Sequence, residues 1–267
     1  MELASERMGV PITELQKDLS DYEQLTINRD LLYNSQSGNL TGYNCAVCKN
    51  KGMIMTVIDG KEVMKQCECI KQRMIIKKSA DYMKRYGIDF VNTTFDQYET
   101  PEQWQQSAKM MTQKFANDFD SLRKNWIYVG GQNGAGKTHL CTAICGILTK
   151  KQHVVHYENW KELCQRLESL RFESEYNDVL SQLQTVEVLF IDDLLKQKDK
   201  KKLPGDLNIA FEILDARYRS GKATVISSEW LIDDIFKMDA GLAGRIKQSA
   251  YLVQINYAEN RDWRART

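Results

Sequence analysis

The spacing of hydrophobic and polar positions changes along the chain, and the change divides it. Over residues 10–33, Ile12, Leu15, Leu19 and Tyr22 recur at three- and four-residue steps with Asp, Glu, Gln and Lys between them. That spacing predicts an amphipathic helix. The stretch "YNSQSGNLTG" (33–42) keeps no period and reads as a polar linker. "MIMTVIDGKEVMKQ" reads as a hairpin turning at Asp59-Gly60, and the basic "KQRMIIKKSADYMKRYG" starts a connecting helix. Residues 88–105 mix aromatic and polar positions around Pro101. From about residue 108 strands alternate with helices: strands at 126–131, 153–158, 186–192, 223–228 and 250–255, helices at 137–149, 160–172 and 206–219. Strands separated by helices imply an α/β fold with a five-stranded, mainly parallel sheet covered on both faces. Ligands of such sheets bind outside the carboxyl ends of the strands.

Composition narrows the class. With 267 residues and 42% hydrophobic content, the chain can build one good core and a smaller module. A formal net charge of +1 gives no overall basic field, so any nucleic-acid contact needs a local patch. No apolar run approaches the roughly 20 residues of a membrane span. The opening "MELASERMGV" lacks the regions of a signal peptide, so a soluble, cytoplasmic protein without a membrane partner is expected. In that reducing compartment the seven cysteines are expected to hold metal or to be buried.

The strand at 126–131 runs straight into "GQNGAGKTHL", where Gly131, Gly136, Lys137 and Thr138 fit G-x-x-x-x-G-K-[ST]. Such a loop curls tightly and offers backbone N–H groups to phosphate oxygens. Gly131, Gln132, Asn133, Gly134, Ala135 and Gly136 are the expected cradle of ATP, with His139 next in the helix. Lys137 is expected to reach the β- and γ-phosphates, and Thr138 to ligate Mg²⁺. "VEVLFIDDLLK" ends an apolar run in two acids. Asp192 is the expected second Mg²⁺ ligand. Asp193 either orients the attacking water or caps the next segment, and its shortness beside a Glu predicts slow hydrolysis. "ATVISSEW" places Ser227, Ser228 and Glu229 at a strand end, with Ser228 or Glu229 as phosphate sensor, and "GLAGRIKQ" offers Arg245 to a neighbour's phosphate.

Cys45-x₂-Cys48 is followed 18 residues later by Cys67-x-Cys69. Four thiolates suit tetrahedral Zn²⁺, with Gly52 allowing a knuckle turn; ordinary thiols or a redox or iron–sulfur role are the other readings. Cys141, Cys145 and Cys164 fall at helical positions and read as core residues.

The order "GGQNGAGKTHL", "VEVLFIDDLLK", "FEILDARYRSGKATVISSEW", "GLAGRI" resembles AAA+ ATPases of the DnaC and DnaI type, above all bacteriophage versions, over residues 41–255. The resemblance implies an AAA+ P-loop NTPase that loads a replicative helicase. Lys137 and Thr138 would be its Walker A residues, Asp192 and Asp193 Walker B, and Arg245 the arginine finger. Arg217 is a further candidate to face a neighbouring subunit. After Arg245 only 22 residues remain, so no full helical lid is expected. The expected organisation is a partner-binding helical segment at 1–40, a zinc-binding module at 41–72, a linker at 73–107 and the ATPase domain at 108–267.

Under this reading ATP switches an assembly of self-associated subunits. The partners are a hexameric replicative helicase, met by the N-terminal segment, and single-stranded DNA. DNA contacts are expected from Lys196, Lys198, Lys200, Lys201 and Lys202, and from Lys161, Arg166 and Arg171 beside Trp160 and Tyr176. The competing readings are a transposition helper acting with a transposase, a small-molecule phosphotransferase and a DNA-binding module with a vestigial ATPase.

Overall fold

The computed structural model describes residues 40, 45–58, 61–196 and 203–258. The expected N-terminal helix, most of the lysine run after Asp193 and the segment "NRDWRART" lie outside them. The chain divides into two compact units, Met1–Lys77 and Lys78–Thr267.

In the first unit, strands β1 (Met53–Ile58) and β2 (Lys61–Gln66) form an antiparallel pair with Ile58 opposite Lys61. The turn expected at Asp59-Gly60 lies outside the described residues. Helix α1 (Cys69–Tyr86) begins at the last cysteine of the cluster, and the division between the units falls within it.

The second unit carries a five-stranded sheet in the order β4-β5-β6-β3-β7, all parallel. Its strands are β3 (Trp126–Gly131), β4 (Val155–Asn159), β5 (Val188–Leu194), β6 (Ala223–Ser228) and β7 (Ala250–Ile255). Both faces are apolar because both are covered. Along β3, Ile127 and Val129 join one core while Trp126 and Tyr128 join the other; along β5, Val188 and Phe190 face away from Leu189 and Ile191. The first face is covered by α2 (Gln103–Asp118) and α3 (Lys137–Lys150). The second is covered by α4 (Trp160–Ser169), α5 (Glu175–Thr185), α6 (Leu203–Ser220), α7 (Ile232–Met238) and α8 (Ala240–Ser249).

Several boundaries differ from the sequence reading, two of them at the site. The segment expected as a linker, 73–107, is not one. Helix α1 occupies its start, and Phe90, Phe95 and Tyr98 are buried in the same core as α3, so the ATPase fold begins well before residue 108. The strand expected at 186–192 runs instead from Val188 to Leu194. Its pairing with β6 jumps between Ile191 and Leu194, so Asp192 and Asp193 together stand opposite Ser227. This is a β-bulge, and it sits where a side chain must be re-aimed.

Candidate functional site

The loop between β3 and α3 is shaped by positive φ at Gly131 (118°), Gly134 (75°) and Gly136 (79°). Two of these glycines also have no room for a side chain. A Cβ at Gly131 would come 1.9 Å from the Ile255 carbonyl oxygen, and one at Gly136 would come 2.5 Å from the Tyr98 ring. The loop is tied to β7 by the Gln132 N–H donating to Ile255 O at 3.0 Å, and Gln132 Oε1 accepts from Ala258 N at 2.6 Å. Lys137 is buried, and its Nζ donates to the Gly131 and Gln132 carbonyls at 2.9 and 2.7 Å. Burial pulls the Lys137 ammonium below its ordinary pKa, opposed by the nearby Asp193 and Glu229 carboxylates.

A cavity of about 370 Å³ opens over this loop. Asn133, Gly134, Ala135, Gly136, Lys137, Thr138 and His139 form one wall; Gln97, Tyr98, Glu99 and Gln105 line it too, with Asp193 and Lys196. Sequence reasoning missed the 97–105 side, because nothing local marks it as part of the loop's surroundings. Tyr98 donates its hydroxyl to Ala135 O at 2.9 Å, and His139 Nε2 lies 2.8 Å from Thr94 O, which fastens this segment to the cradle.

Asp192 is the hub of the acidic side. Its Oδ1 accepts from Thr138 Oγ1 at 2.9 Å and from the Ser227 hydroxyl, and its Oδ2 accepts from Tyr157 OH at 3.2 Å. Burial raises its pKa, with the Asp193 charge adding to the effect and the Ser227 and Thr138 hydrogen bonds opposing it. A buried carboxylate in such a position is stabilised by an opposite charge. Thr138 and Asp192 therefore fit a magnesium ion, and the glycine loop with Lys137 fits a polyphosphate.

Asp193 stands at φ 60° and its N–H donates to Ser227 Oγ at 2.9 Å. Its carboxylate pairs with Lys196 Nζ at 3.0 Å, and the same ammonium reaches Glu229 at 2.7 Å. Ser228 does not face the cavity. It is fully buried, donating to Leu194 O at 2.8 Å and accepting from Trp230 N at 3.2 Å, because alternate residues of β6 point to opposite faces. Ser227, left out of the expected ligands, is the serine that touches both aspartates.

Arg245 lies on α8, its Nε 2.9 Å from Asp215 and its guanidinium carbon 5.3 and 5.7 Å from the Phe211 and Tyr218 ring centres. The side chain is 37% exposed. Arg217, the other candidate to face a neighbour, is a core residue. It is fully buried and donates to Thr224 Oγ1 (3.0 Å), Leu183 O (2.7 Å), Val186 O (3.0 Å) and Ala223 O. Trp160 is likewise buried, its indole donating to Asp206 at 3.2 Å, so it offers no stacking face. Phe172, between α4 and α5, is instead 94% exposed.

In the first unit the four sulfurs of Cys45, Cys48, Cys67 and Cys69 lie within 4.8 Å of one another, and all four residues are buried. The Cys45–Cys67 and Cys48–Cys69 sulfur separations are 3.8 and 3.4 Å. Four thiolates at about 2.3 Å from one zinc ion would stand about 3.8 Å apart, so the set fits that geometry. The knuckle expected at Gly52 is there, with positive φ at Lys49, Asn50 and Gly52 and the Gly52 N–H donating to Cys48 Sγ at 3.2 Å. Burial raises the Cys48 thiol, yet that amide and the neighbouring thiols outweigh it and hold Cys48 at about 6. Burial pushes Cys69 up to about 12.

A glycine loop between strand and helix, with Thr138 locked onto a strand-end aspartate of a five-stranded parallel sheet, is the arrangement of a P-loop nucleotide-binding protein. Within that class, the chain is a member of the IstB-like ATP binding protein family, whose profile matches residues 66–259. Over 230 residues it is 29% identical to the phage-like element PBSX protein XkdC of Bacillus subtilis (strain 168), spanning 81% of this chain and 84% of that protein. Over 151 residues it is 26% identical to a protein of insertion sequence IS232 from Bacillus thuringiensis subsp. berliner, named for ATP binding; this covers 52% of this chain and 58% of that one. The crystal structure of the DnaC helicase loader superposes with a TM-score of 0.54 at 23% identity, over 62% of this chain and 98% of that one, a likeness of fold. No helix among the described residues is long and apolar enough to cross a membrane.

Proposed function

We propose that this chain is an ATP-dependent loader that binds a hexameric replicative helicase and delivers it onto single-stranded DNA during replication. The observation that carries the reading is the Thr138–Asp192 contact at the mouth of the glycine cradle, in a fold similar to the DnaC helicase loader over nearly all of that chain. The phage-element relative fits a protein carried by a mobile genome.

The loop amides and Lys137 would hold the β- and γ-phosphates, and Thr138 and Asp192 would hold magnesium. That ion, when bound, neutralises charge on the terminal phosphates. Asp193 orients the attacking water; because it is a methylene shorter than the usual Glu, turnover is slow and switch-like. Arg245 reaches the nucleotide of a neighbouring copy, so ATP gathers subunits. Cys45, Cys48, Cys67 and Cys69 hold zinc. The segment 1–40 binds the helicase. Lys198, Lys200, Lys201 and Lys202, with Arg171 and the exposed Phe172, bind DNA phosphates and bases, while Lys196 is held by Asp193 and Glu229.

The IS232 relative favours a second reading, a transposition helper that acts with a transposase on duplex DNA. Measuring the mass of complexes formed with a hexameric helicase, with and without ATP, tests both. The loader predicts an ATP-dependent helicase complex; no helicase complex, alongside an ATP-dependent complex with a transposase, would replace it with the second reading.

A further inference from the structure

Lys196 has no place in the phosphate-binding motif, yet it lines the cavity together with Lys137, Thr138 and Asp193. Its Nζ stands 2.7 Å from Glu229 Oε1 and 3.0 Å from Asp193 Oδ2, joining a carboxylate near the end of β5 to one just past the end of β6. The backbone there is held in an unusual shape. Asp193 and Leu195 adopt φ of 60° and 61°, a region costly for residues with a side chain. Straps from β6 and beyond keep it so. Ser227 Oγ accepts from Asp193 N, Ser228 Oγ donates to Leu194 O, and Trp230 Nε1 donates to Leu195 O at 3.1 Å. The Lys196 N–H closes the turn on Asp193 O at 3.0 Å and so returns the lysine side chain to Asp193.

Every strap named so far fixes main chain. Among the described residues, the hydrogen bond that orients the Asp193 carboxylate comes from Lys196. A half-exposed ion pair of this kind contributes little to stability. Strained backbone maintained around such a pair is a sign of function.

We propose that Lys196 is a positioning residue for ATP hydrolysis, its ammonium group bridging Glu229 and Asp193 so that the Asp193 carboxylate is aimed at the attacking water. This rests on the reading of Asp193 as the residue that orients that water. In the step it serves, the water oxygen bonds to the terminal phosphorus and the bond from phosphorus to the bridging oxygen breaks. ADP leaves with the electron pair, and the water proton passes to the free oxygen of Asp193. Lys196 anchors the other oxygen, and Glu229 holds Lys196 in place.

Steady-state turnover of the full chain tests this with Lys196→Met, Lys196→Arg and Asp193→Asn, alongside affinity for a non-hydrolysable ATP analogue and the melting temperature. Lys196→Met is expected to lower kcat about tenfold, a fraction of what a general base contributes. KM, analogue affinity and Tm should stay within about twofold or a few degrees of the parent. Lys196→Arg keeps a cation in reach and should recover most of the rate. Unchanged or raised kcat in Lys196→Met overturns the proposal, as does a loss confined to KM and analogue affinity, which would make Lys196 a nucleotide-binding residue. If Asp193→Asn loses turnover while Lys196→Met does not, this inference alone fails. If Asp193→Asn turns over like the parent, the reading of Asp193 fails and takes the inference with it.

Discussion

Gly136 shows how much of the site depends on single atoms. It needs a left-handed backbone at φ 79°, and a methyl group there would press on the Tyr98 ring at 2.5 Å. Gly136→Ala is therefore expected to weaken ATP binding at least tenfold, roughly the cost of one strained or clashing residue, as read by titration with a fluorescent analogue. Lys137→Ala should abolish measurable binding in the same assay, and retained affinity would contradict the cradle. Arg217 makes the opposite case, a charged residue with a structural task. Arg217→Met leaves several buried carbonyls without a donor and should cost about 3 kcal/mol in denaturant unfolding without changing ATP affinity. The glycine–lysine–threonine motif was legible because its chemistry demands those residue types at fixed spacing. The choice between Ser227 and Ser228 was not, because adjacent strand residues differ only in the face they take, and the bulge at Asp192 and Asp193 decides which hydroxyl meets the acids.

At the level of elements, the alternation of strands and helices from Trp126 onward follows from apolar runs punctuated by glycines and polar turns. Helices α2, α5, α7 and α8 escaped notice. In α2 the buried positions Ala108, Thr112, Phe115 and Ala116 keep helical spacing, but small and polar residues blur it. In α5, Tyr176, Val179, Leu180 and Leu183 form an apolar stripe that the surrounding charge obscured. The edge strand β4 supplies an acid-sensitive element. Glu158 is buried, and burial alone would raise its carboxyl. His156 and Arg166, each 2.8 Å away, outweigh burial and hold it below the usual glutamate range. A depressed folded value gives stability that is present above the unfolded pKa, about 4.3, and lost as pH falls through the folded one. Glu158→Gln should therefore be less stable than the parent at pH 7, with the gap closing as unfolding is repeated at progressively lower pH through the carboxylate range. A gap independent of pH would remove the ionic contribution.

For the molecule as a whole, the two units have separate means of stability. The ATPase unit has two cores on the faces of one sheet, whereas among the described residues the hydrophobic cluster of the first unit is four cysteines with Ile54 against them. The proposed zinc would tie that cluster together and so contribute to the stability of this unit. Chelation, or Cys45→Ser, is expected to release zinc and unfold the first unit, seen as faster amide exchange over β1 and β2, while ATP binding in the second persists. Metal analysis finding no zinc in the purified protein would end that account. By itself the sequence determined the chemistry that depends on residue type and spacing: the phosphate loop, the strand-end acids, the four cysteines and the α/β alternation. The tertiary structure decided what depends on distance between remote segments. It joined Tyr98 to the loop, set Ser227 against both aspartates, buried Arg217 and gave Asp193 a lysine partner, because strand register and close packing bring together residues that no local pattern connects.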